Sequence, residues 1–519
     1  MRSSVANPKP RYGGRILAPL LCGLVLLACC ILGSHPASAF GFGRMGGFGR
    51  PMMGGPIWRR PPPPLRGGRF AGPPPPGRRG WPTRHPPIVG GGAVGGGIVG
   101  GGIVGGAAAR AAGGGNNGGG AAAAQGNSPF VPNEIVTSFA PGTTPQTIAQ
   151  FAQRHDLAQL ESQNFPLIGT SLYRWRIGGG RSVPSVVQAT GSENIVATVQ
   201  PNYLFALQED NAKEENAKAA AAAPATAGDA AQYVLAELQI AQAHQIATGK
   251  SITIAVIDSE IDGKHPDLDG AVVKSFDALA GSDTPHPHGT SIAGAIAAHG
   301  KLMGIAPGVQ ILAVHAFDDS PGEAKGTSFA IDKGLQWAAD NNARVVNMSF
   351  AGPADPMLAR MLAAAYAKGI VLIAAAGNGG PQSEPLYPAA DPDVIAVTAT
   401  DNAEHVFALA NRGRYIAVAA PGVDILALAP GDTYALSSGT SIAAAHVSGI
   451  AALLLERNPA LKPGDIRSIL IATAKPIGPP VPDSPLGAGV VNAYRAVSFI
   501  DRKPEVRVLA PVAGAPPKQ

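Results

Sequence analysis

Between residues 232 and 500, short apolar runs alternate with amphipathic stretches. The apolar runs cover 252–257, 309–316, 343–348, 370–376 and 394–398, each the length of a buried strand. Stretches with apolar residues three and four apart cover 290–298, 329–340, 357–368, 441–456 and 465–474, and these predict helices. Continuous apolar strands between amphipathic helices imply a three-layer α/β domain, a mostly parallel sheet covered on both faces. Sites in such sheets lie beyond the carboxyl ends of strands. Asp258, Ser349 and Asn378 each end a strand-like run or directly follow one.

A smaller pattern occupies 129–207. Residues 134–139 alternate like a strand, and Thr144-Pro145 supplies a cap and a first helical residue. Ile148, Phe151, Ala152 and His155 then fall on one helix face. Residues 172–177 read as strand, 183–189 as a short helix, and 195–199 with 203–207 as the last strands. A β-α-β-β-α-β order at this length fits a small ferredoxin-like α+β unit. Residues 208–231, rich in Ala, Glu, Lys and Asn, predict a mobile or marginally helical linker.

Composition changes the picture at the ends. Residues 40–128 hold 30 of the 68 glycines and 13 of the 49 prolines, a low-complexity segment that cannot bury enough apolar surface to fold. Ten arginines lie between Phe40 and Gly126, and the first acidic residue is Glu134. The net charge of +5 therefore belongs to the amino-terminal part, and the remainder is mildly acidic. The segment reads either as a flexible spacer or as a cationic arm for anionic envelope surfaces. No RNA-binding fold signals accompany it, so nucleic acid is not expected as a partner.

Residues 1–39 have a signal-peptide layout. Arg2, Lys9, Arg11 and Arg15 precede an apolar run over 16–32, and Ala37-Ser38-Ala39 offers small residues for cleavage. The layout predicts a secreted or periplasmic, envelope-associated protein. An uncleaved anchor stays open, although the run is short for a full span, as does Leu26-Leu27-Ala28-Cys29, which resembles a bacterial lipoprotein cleavage site. Cys22, Cys29 and Cys30 all lie here, so a chain cut after Ala39 has no disulfide, thiolate metal site or cysteine nucleophile. Residues 501–519 read as a Pro-rich tail.

Gly439-Thr440-Ser441 leads into an apolar run through Leu455, which predicts a tight turn feeding a buried helix. Ser441 at the helix start is either a cap or a nucleophile beside N–H groups able to hold an anionic oxygen. The string from Gly439 to Gly449 resembles the serine motif of the subtilisin-like serine peptidases, with Ala445 where that family has proline. Its other motifs follow in the family's order: Asp258-Ser259 and His265-Pro266-Asp267-Leu268, His288-Gly289-Thr290, Asn347-Met348-Ser349-Phe350, and Ala375-Ala376-Gly377-Asn378. The resemblance covers roughly residues 233–497, and Asp, His, Ser is the subtilisin order.

The resemblance implies a serine endopeptidase made as a zymogen. Ser441 would be the nucleophile, His288 its base, Asp258 the residue orienting the imidazole, and Asn378 the oxyanion donor. His286 rivals His288, but only His288 is followed by Gly289-Thr290, as in the family. Ser349, Phe350 and Ala351 would form one wall of the primary specificity pocket, Ala376 and Gly377 the other, and Leu386 the floor. Ala351 and Leu386 stand where glycine is usual, so small or medium apolar side chains are the expected preference. The 129–207 unit looks like the family's inhibitory prodomain, with the cut expected in 208–231. Glu260 and Ser291 depart from the usual glycine and second histidine. Calcium-binding relatives combine the aspartate matching Asp267 with a longer loop than 297–305, and His299-Gly300-Lys301 puts a cation there. Calcium wants six or more oxygens, so neither metal nor cofactor is expected. The expected partners are protein or peptide substrates and the chain's own prodomain. The rival from another class is an inactive binding or structural envelope protein that keeps only the fold.

Overall fold

The structure, a computed structural model, describes residues 128–208, 232–281, 284–318, 324–477 and 484–500. The predicted signal segment, nearly all of the basic segment, the linker beyond Gln208 and the tail lie outside the described residues. Those described all fall within one compact unit, Gly115–Gln519. Among them, no helix is long and apolar enough to cross a membrane.

The amino-terminal unit runs β1 (Phe130–Phe139), α1 (Pro145–Arg154), β2 (Leu157–Phe165), β3 (Thr170–Ile177), α2 (Val183–Gly191) and β4 (Val196–Leu207). Its strands pair antiparallel in the order β4-β1-β3-β2, the ferredoxin-like arrangement. Thr144 and Ser182 cap the two helices with their hydroxyls, and proline follows at each start. Two details differ from the sequence expectation. β2, at the sheet edge, has only its end residues Leu157 and Phe165 buried, so its polar middle hides the strand pattern. The two last runs are one strand, because Pro201 sits beside a register shift opposite Ile135, where a missing N–H is tolerated. Alternation gives the sheet two apolar faces. Ile135, Trp175 and Ile177 pack on α1 and α2, while Val136, Phe165 and Leu172 join the core of the larger domain.

That domain runs α3 (Tyr233–Glu237), α4 (Ile240–His244), β5 (Thr253–Asp258), β6 (Val272–Asp277), α5 (Pro287–Ala297), β7 (Gln310–His315), β8 (Lys325–Thr327), α6 (Ser328–Asp340), β9 (Val345–Met348), β10 (Phe350–Ala351) and α7 (Pro356–Ala367). It continues with β11 (Val371–Ala375), β12 (Val394–Thr400), β13 (Ile416–Pro421), a hairpin of β14 (Ile425–Ala429) and β15 (Thr433–Ser437), then α8 (Thr440–Arg457), α9 (Pro463–Thr473) and α10 (Ala493–Phe499). Seven strands form a parallel sheet in the order β13-β12-β11-β9-β5-β7-β6. Residues of α5, α8 and α9 build the core on one face, and residues of α6 and α7 the core on the other. The chain moves from β5 to β6 and back to β7, then crosses to β9 on the opposite side. The direction of winding reverses between β5 and β9, which opens a crevice at their carboxyl ends. Asp258 ends β5 there, and Ser349 follows β9.

Candidate active site

Asp258 is wholly buried. Its Oδ1 accepts from the Ser259 N–H (2.8 Å), the Ser259 hydroxyl (3.1 Å) and His288 Nδ1 (2.7 Å). His288 stands in the first turn of α5. His286 is the cap of that helix, its Nδ1 accepting the His288 N–H at 3.2 Å. The structure therefore brings His288, not His286, to Asp258. Gly289 is required by close approach, since a Cβ there would lie 2.4 Å from the Ser259 carbonyl oxygen. With Nδ1–H given to Asp258, Nε2 is the nitrogen left to act as a base.

Ser441 is the second residue of α8. Its hydroxyl donates to the carbonyl oxygen of Gln208 at 2.9 Å, and Asn378 Nδ2 donates to the same oxygen at 3.0 Å. Asn378 cannot turn over freely, because its Oδ1 accepts from the Thr440 N–H (3.0 Å) and hydroxyl (2.9 Å). Gly439, at φ +146°, keeps the space open. A Cβ there would lie 2.9 Å from Asn378 Nδ2 and 3.1 Å from the Gln208 oxygen. A buried network fixes the helix start from below: Ser448 donates to Asn347 Oδ1 (2.9 Å), Asn347 to Ser349 Oγ (2.8 Å), and Ser349 to the Ser441 carbonyl (3.1 Å). His288, Ser441 and Gln208 line one cavity of about 380 Å³ together with Leu428, Leu436 and Ser438.

Gln208 arrives there because β4 continues into the larger domain. Leu207 and Ala206 pair antiparallel with Phe350 and Ala351 of β10. Leu204, Phe205 and Ala206 pair on the other edge with β8. The Leu207 N–H reaches the Ala324 carbonyl (3.1 Å), and the Gln208 N–H that of Ser349 (3.4 Å). The Phe205 ring is buried edge-on against Phe350, centroids 5.9 Å apart. The Gln208 side chain folds back, its Oε1 taking the Asn378 N–H at 2.9 Å and its Nε2 donating to the Ala206 carbonyl at 3.2 Å.

The expected pocket residues gather around this point. Gly377 gives its N–H to Thr440 Oγ1 (3.1 Å), and a Cβ on it would lie 3.1 Å from Leu386 Cδ1. Leu386 thus stands against Gly377. The next residue, Tyr387, exchanges two backbone bonds with Gly352, of 2.8 and 3.0 Å, tying this segment to Ala351. Ala376 is buried, its carbonyl held by Asn411 Nδ2 (3.0 Å) and the Tyr415 hydroxyl (3.2 Å). Sequence reasoning gave no role to Gln208, nor to Thr440, Asn347 and Ser448 inside the quoted motifs, and missed the β8 edge. Only Gly326-Thr327 ahead of a helix offered a local signal for β8.

Residues 249–489 match the model of the subtilase family. Thermitase of Thermoactinomyces vulgaris is 37% identical over 276 residues, spanning 52% of this chain and 96% of thermitase. The chain belongs to the subtilase family. Subtilisin of Bacillus pumilus is 36% identical over 276 residues, 51% of this subtilase and 98% of that protein. The crystal structure of fervidolysin from Fervidobacterium pennivorans, described as a keratinolytic enzyme related to subtilisin, superposes with a TM-score of 0.60 at 25% identity. That match covers 71% of this subtilase and 61% of the fervidolysin chain. Membership makes this subtilase a serine-type endopeptidase, acting on proteins or peptides.

Asp267, which the sequence resemblance alone set against a calcium ligand, faces donors in this subtilase. Its Oδ1 accepts the Lys301 N–H (2.9 Å) and the Tyr434 hydroxyl (3.3 Å), and its Oδ2 the Leu302 N–H (2.7 Å). The Lys301 ammonium lies 5.2 Å from the Tyr434 ring centre and pairs with Asp432 at 3.2 Å. A carboxylate filled by N–H and O–H donors beside an ammonium does not fit a calcium ion. His446 of α8 is also structural. Burial pushes its imidazole down to about 4, against an opposing hydrogen bond from Nδ1 to the Pro421 carbonyl, so it stays neutral.

Proposed function

We propose that this subtilase is exported as a zymogen, cuts its own chain between Gln208 and Glu209, and then hydrolyses other proteins through Asp258, His288 and Ser441. One observation carries the reading: the Gln208 carbonyl oxygen lies between the Ser441 hydroxyl at 2.9 Å and the Asn378 amide at 3.0 Å. Ser441 Oγ attacks that carbonyl carbon while its proton passes to His288 Nε2. The oxyanion develops against Asn378 Nδ2, already aimed by Thr440. The C–N bond breaks, and His288 gives its proton to the amine leaving from Glu209. Water, deprotonated by the same nitrogen, then releases the acyl group. Asp258 keeps Nδ1 protonated and stabilises the imidazolium throughout.

The amino-terminal unit is the inhibitory prodomain in this reading, because β4 fills both strand edges that a substrate needs. Export follows from the pattern of residues 1–39. The arginine-rich segment serves as a spacer that also adheres to anionic envelope surfaces. Leu386 and Ala351 narrow the primary pocket, which favours small or medium apolar side chains before the cut in other proteins; the polar Gln208 side chain bonds instead to the Asn378 N–H and the Ala206 carbonyl.

Wild type and Ser441→Ala, each purified free of other proteases, test this. Wild type should yield a mature chain beginning at Glu209 and react with a fluorophosphonate probe. Ser441→Ala should stay full length after Gln208 and unlabelled. Equal trimming of both forms, or Ser441→Ala activity within about tenfold of wild type, would remove Ser441 from the role.

A further inference from the structure

Helices α6 and α7 lie against the amino-terminal unit. The Phe165 ring meets Phe329 at 6.1 Å, Lys333 Nζ lies 2.7 Å from Glu161, and Gln336 Oε1 accepts the Leu167 N–H at 2.9 Å. The unit also closes both helix starts. Asn202 Oδ1 accepts the Phe329 N–H (3.3 Å), and Gln200 Oε1 the Met357 N–H (3.1 Å). Asp332 lies three residues after Phe329 and four before Gln336, so it shares the helical stripe that the unit covers. It is 1% exposed, and neither carboxylate oxygen meets a hydrogen-bond donor among the described residues.

The groups around it offer no compensation. Asp355, the buried cap of α7, accepts on Oδ1 from Met357 N (2.8 Å), Leu358 N (3.0 Å) and Gln200 Nε2 (2.7 Å). Cations of this interface are held elsewhere: Lys333 by Glu161, Arg174 by Glu134 (3.5 Å) and Glu161 (3.4 Å), and Arg360, beside Tyr173 and Ala197, by Met357 Sδ (4.0 Å). From β4 come the neutral amides of Gln200 and Asn202 and the phenol of Tyr203. Burial, then the charge of Asp355, makes that phenol harder to ionise.

We infer that Asp332 is a proton-dependent latch: the amino-terminal unit seats over it only while it carries a proton, so the cleaved unit is held in acid and released as pH rises. The inference rests on the prodomain reading above. An ionised carboxylate with no donor and a second carboxylate nearby is strongly disfavoured in this interface. Protonation removes that cost. Burial, and secondarily Asp355, push Asp332 well above the usual carboxylate range. With the unit gone, water reaches the stripe and the group returns toward about 3.9. The docked state therefore binds one proton more than the undocked state. Affinity is full below the undocked value, falls by up to about tenfold per pH unit above it, and levels off above the docked value.

Two measurements separate this from the peptidase reading. The first uses the uncut Ser441→Ala chain, with and without Asp332→Asn, and follows hydrogen exchange at the Phe329 and Met357 amides. After correction for intrinsic exchange, protection should fall at least about tenfold from about pH 5 to about pH 8 with Asp332, and stay nearly level with the uncharged Asn. Asp332→Leu, also untitratable, should behave like Asn, which guards against a local misfit in either variant. The second follows the half-life of the self-cut complex in active chains. It should shorten with rising pH for Asp332 and not for Asn. Equal pH slopes in parent and Asn chains overturn the latch. An absence of self-cutting overturns the self-processing reading and leaves the exchange result decisive for the latch.

Discussion

Asp258 and Asp332 are equally removed from water, at 0% and 1% exposure, yet donors reach one oxygen of the first and neither of the second among the described residues. Asp258 lies at the carboxyl end of a buried strand, where three donors converge on one of its oxygens. Asp332 lies mid-helix under a second unit and meets no donor among the described residues. Burial alone does not decide what a carboxylate does; the donors that come with it do. At Asp258 they aim one carboxyl oxygen at an imidazole. At Asp332 their lack favours the proton.

The sharpest way to break this contrast is to replace each by its neutral isostere. Asp258→Asn should lower kcat on a peptide substrate by about 10⁴, because the amide favours the wrong imidazole tautomer. Asp332→Asn should leave kcat of the freed enzyme within about twofold, because it is remote from the transferred protons. Similar losses in both variants would erase the distinction. A smaller effect is expected at Leu386, which stands against Gly377. Leu386→Gly should raise relative kcat/KM for substrates with Phe or Tyr before the cut by about 10–200-fold, read from a peptide series varied at that position alone. A wild-type preference for Phe or Tyr would refute the narrow pocket. The smallest effect concerns a third buried aspartate, Asp267, whose oxygens take N–H and O–H donors. Chelator should move Tm by less than about 1 °C in a thermal melt. A large fall would show a bound metal stabilising the fold.

Much of this was legible beforehand because it rests on local pattern. The sheet strands β5, β7, β9, β11 and β12 are continuous apolar runs; Asp258 and Asn378 sit in short motifs at strand ends, and His288 and Ser441 in short motifs at helix starts. β6 was missed because its middle residues, Val273 to Ser275, are exposed and break the buried run. β13 was missed because Ala and Pro dominate it. Gln208 and Asp332 were invisible for another reason. Each acquires meaning only from residues more than a hundred positions away, Ser441 and Asn378 for one, Phe165 and Gln200 for the other. No window along the chain contains both halves of such a pair.

The pairing of β4 on both edges at once says something about which proteins this enzyme can attack. A segment lying between β8 and β10 gives its backbone groups to both neighbours, so it can keep no hydrogen bonds to its own fold. A helix or an inner strand of a target must melt locally before it fits. Each ~1.4 kcal/mol of that opening cost reduces the cleavable population about tenfold. If a substrate takes the place of β4, damaged or half-folded polypeptides should be cut faster than intact ones of identical composition, and a target's resistance should track how tightly it holds itself together.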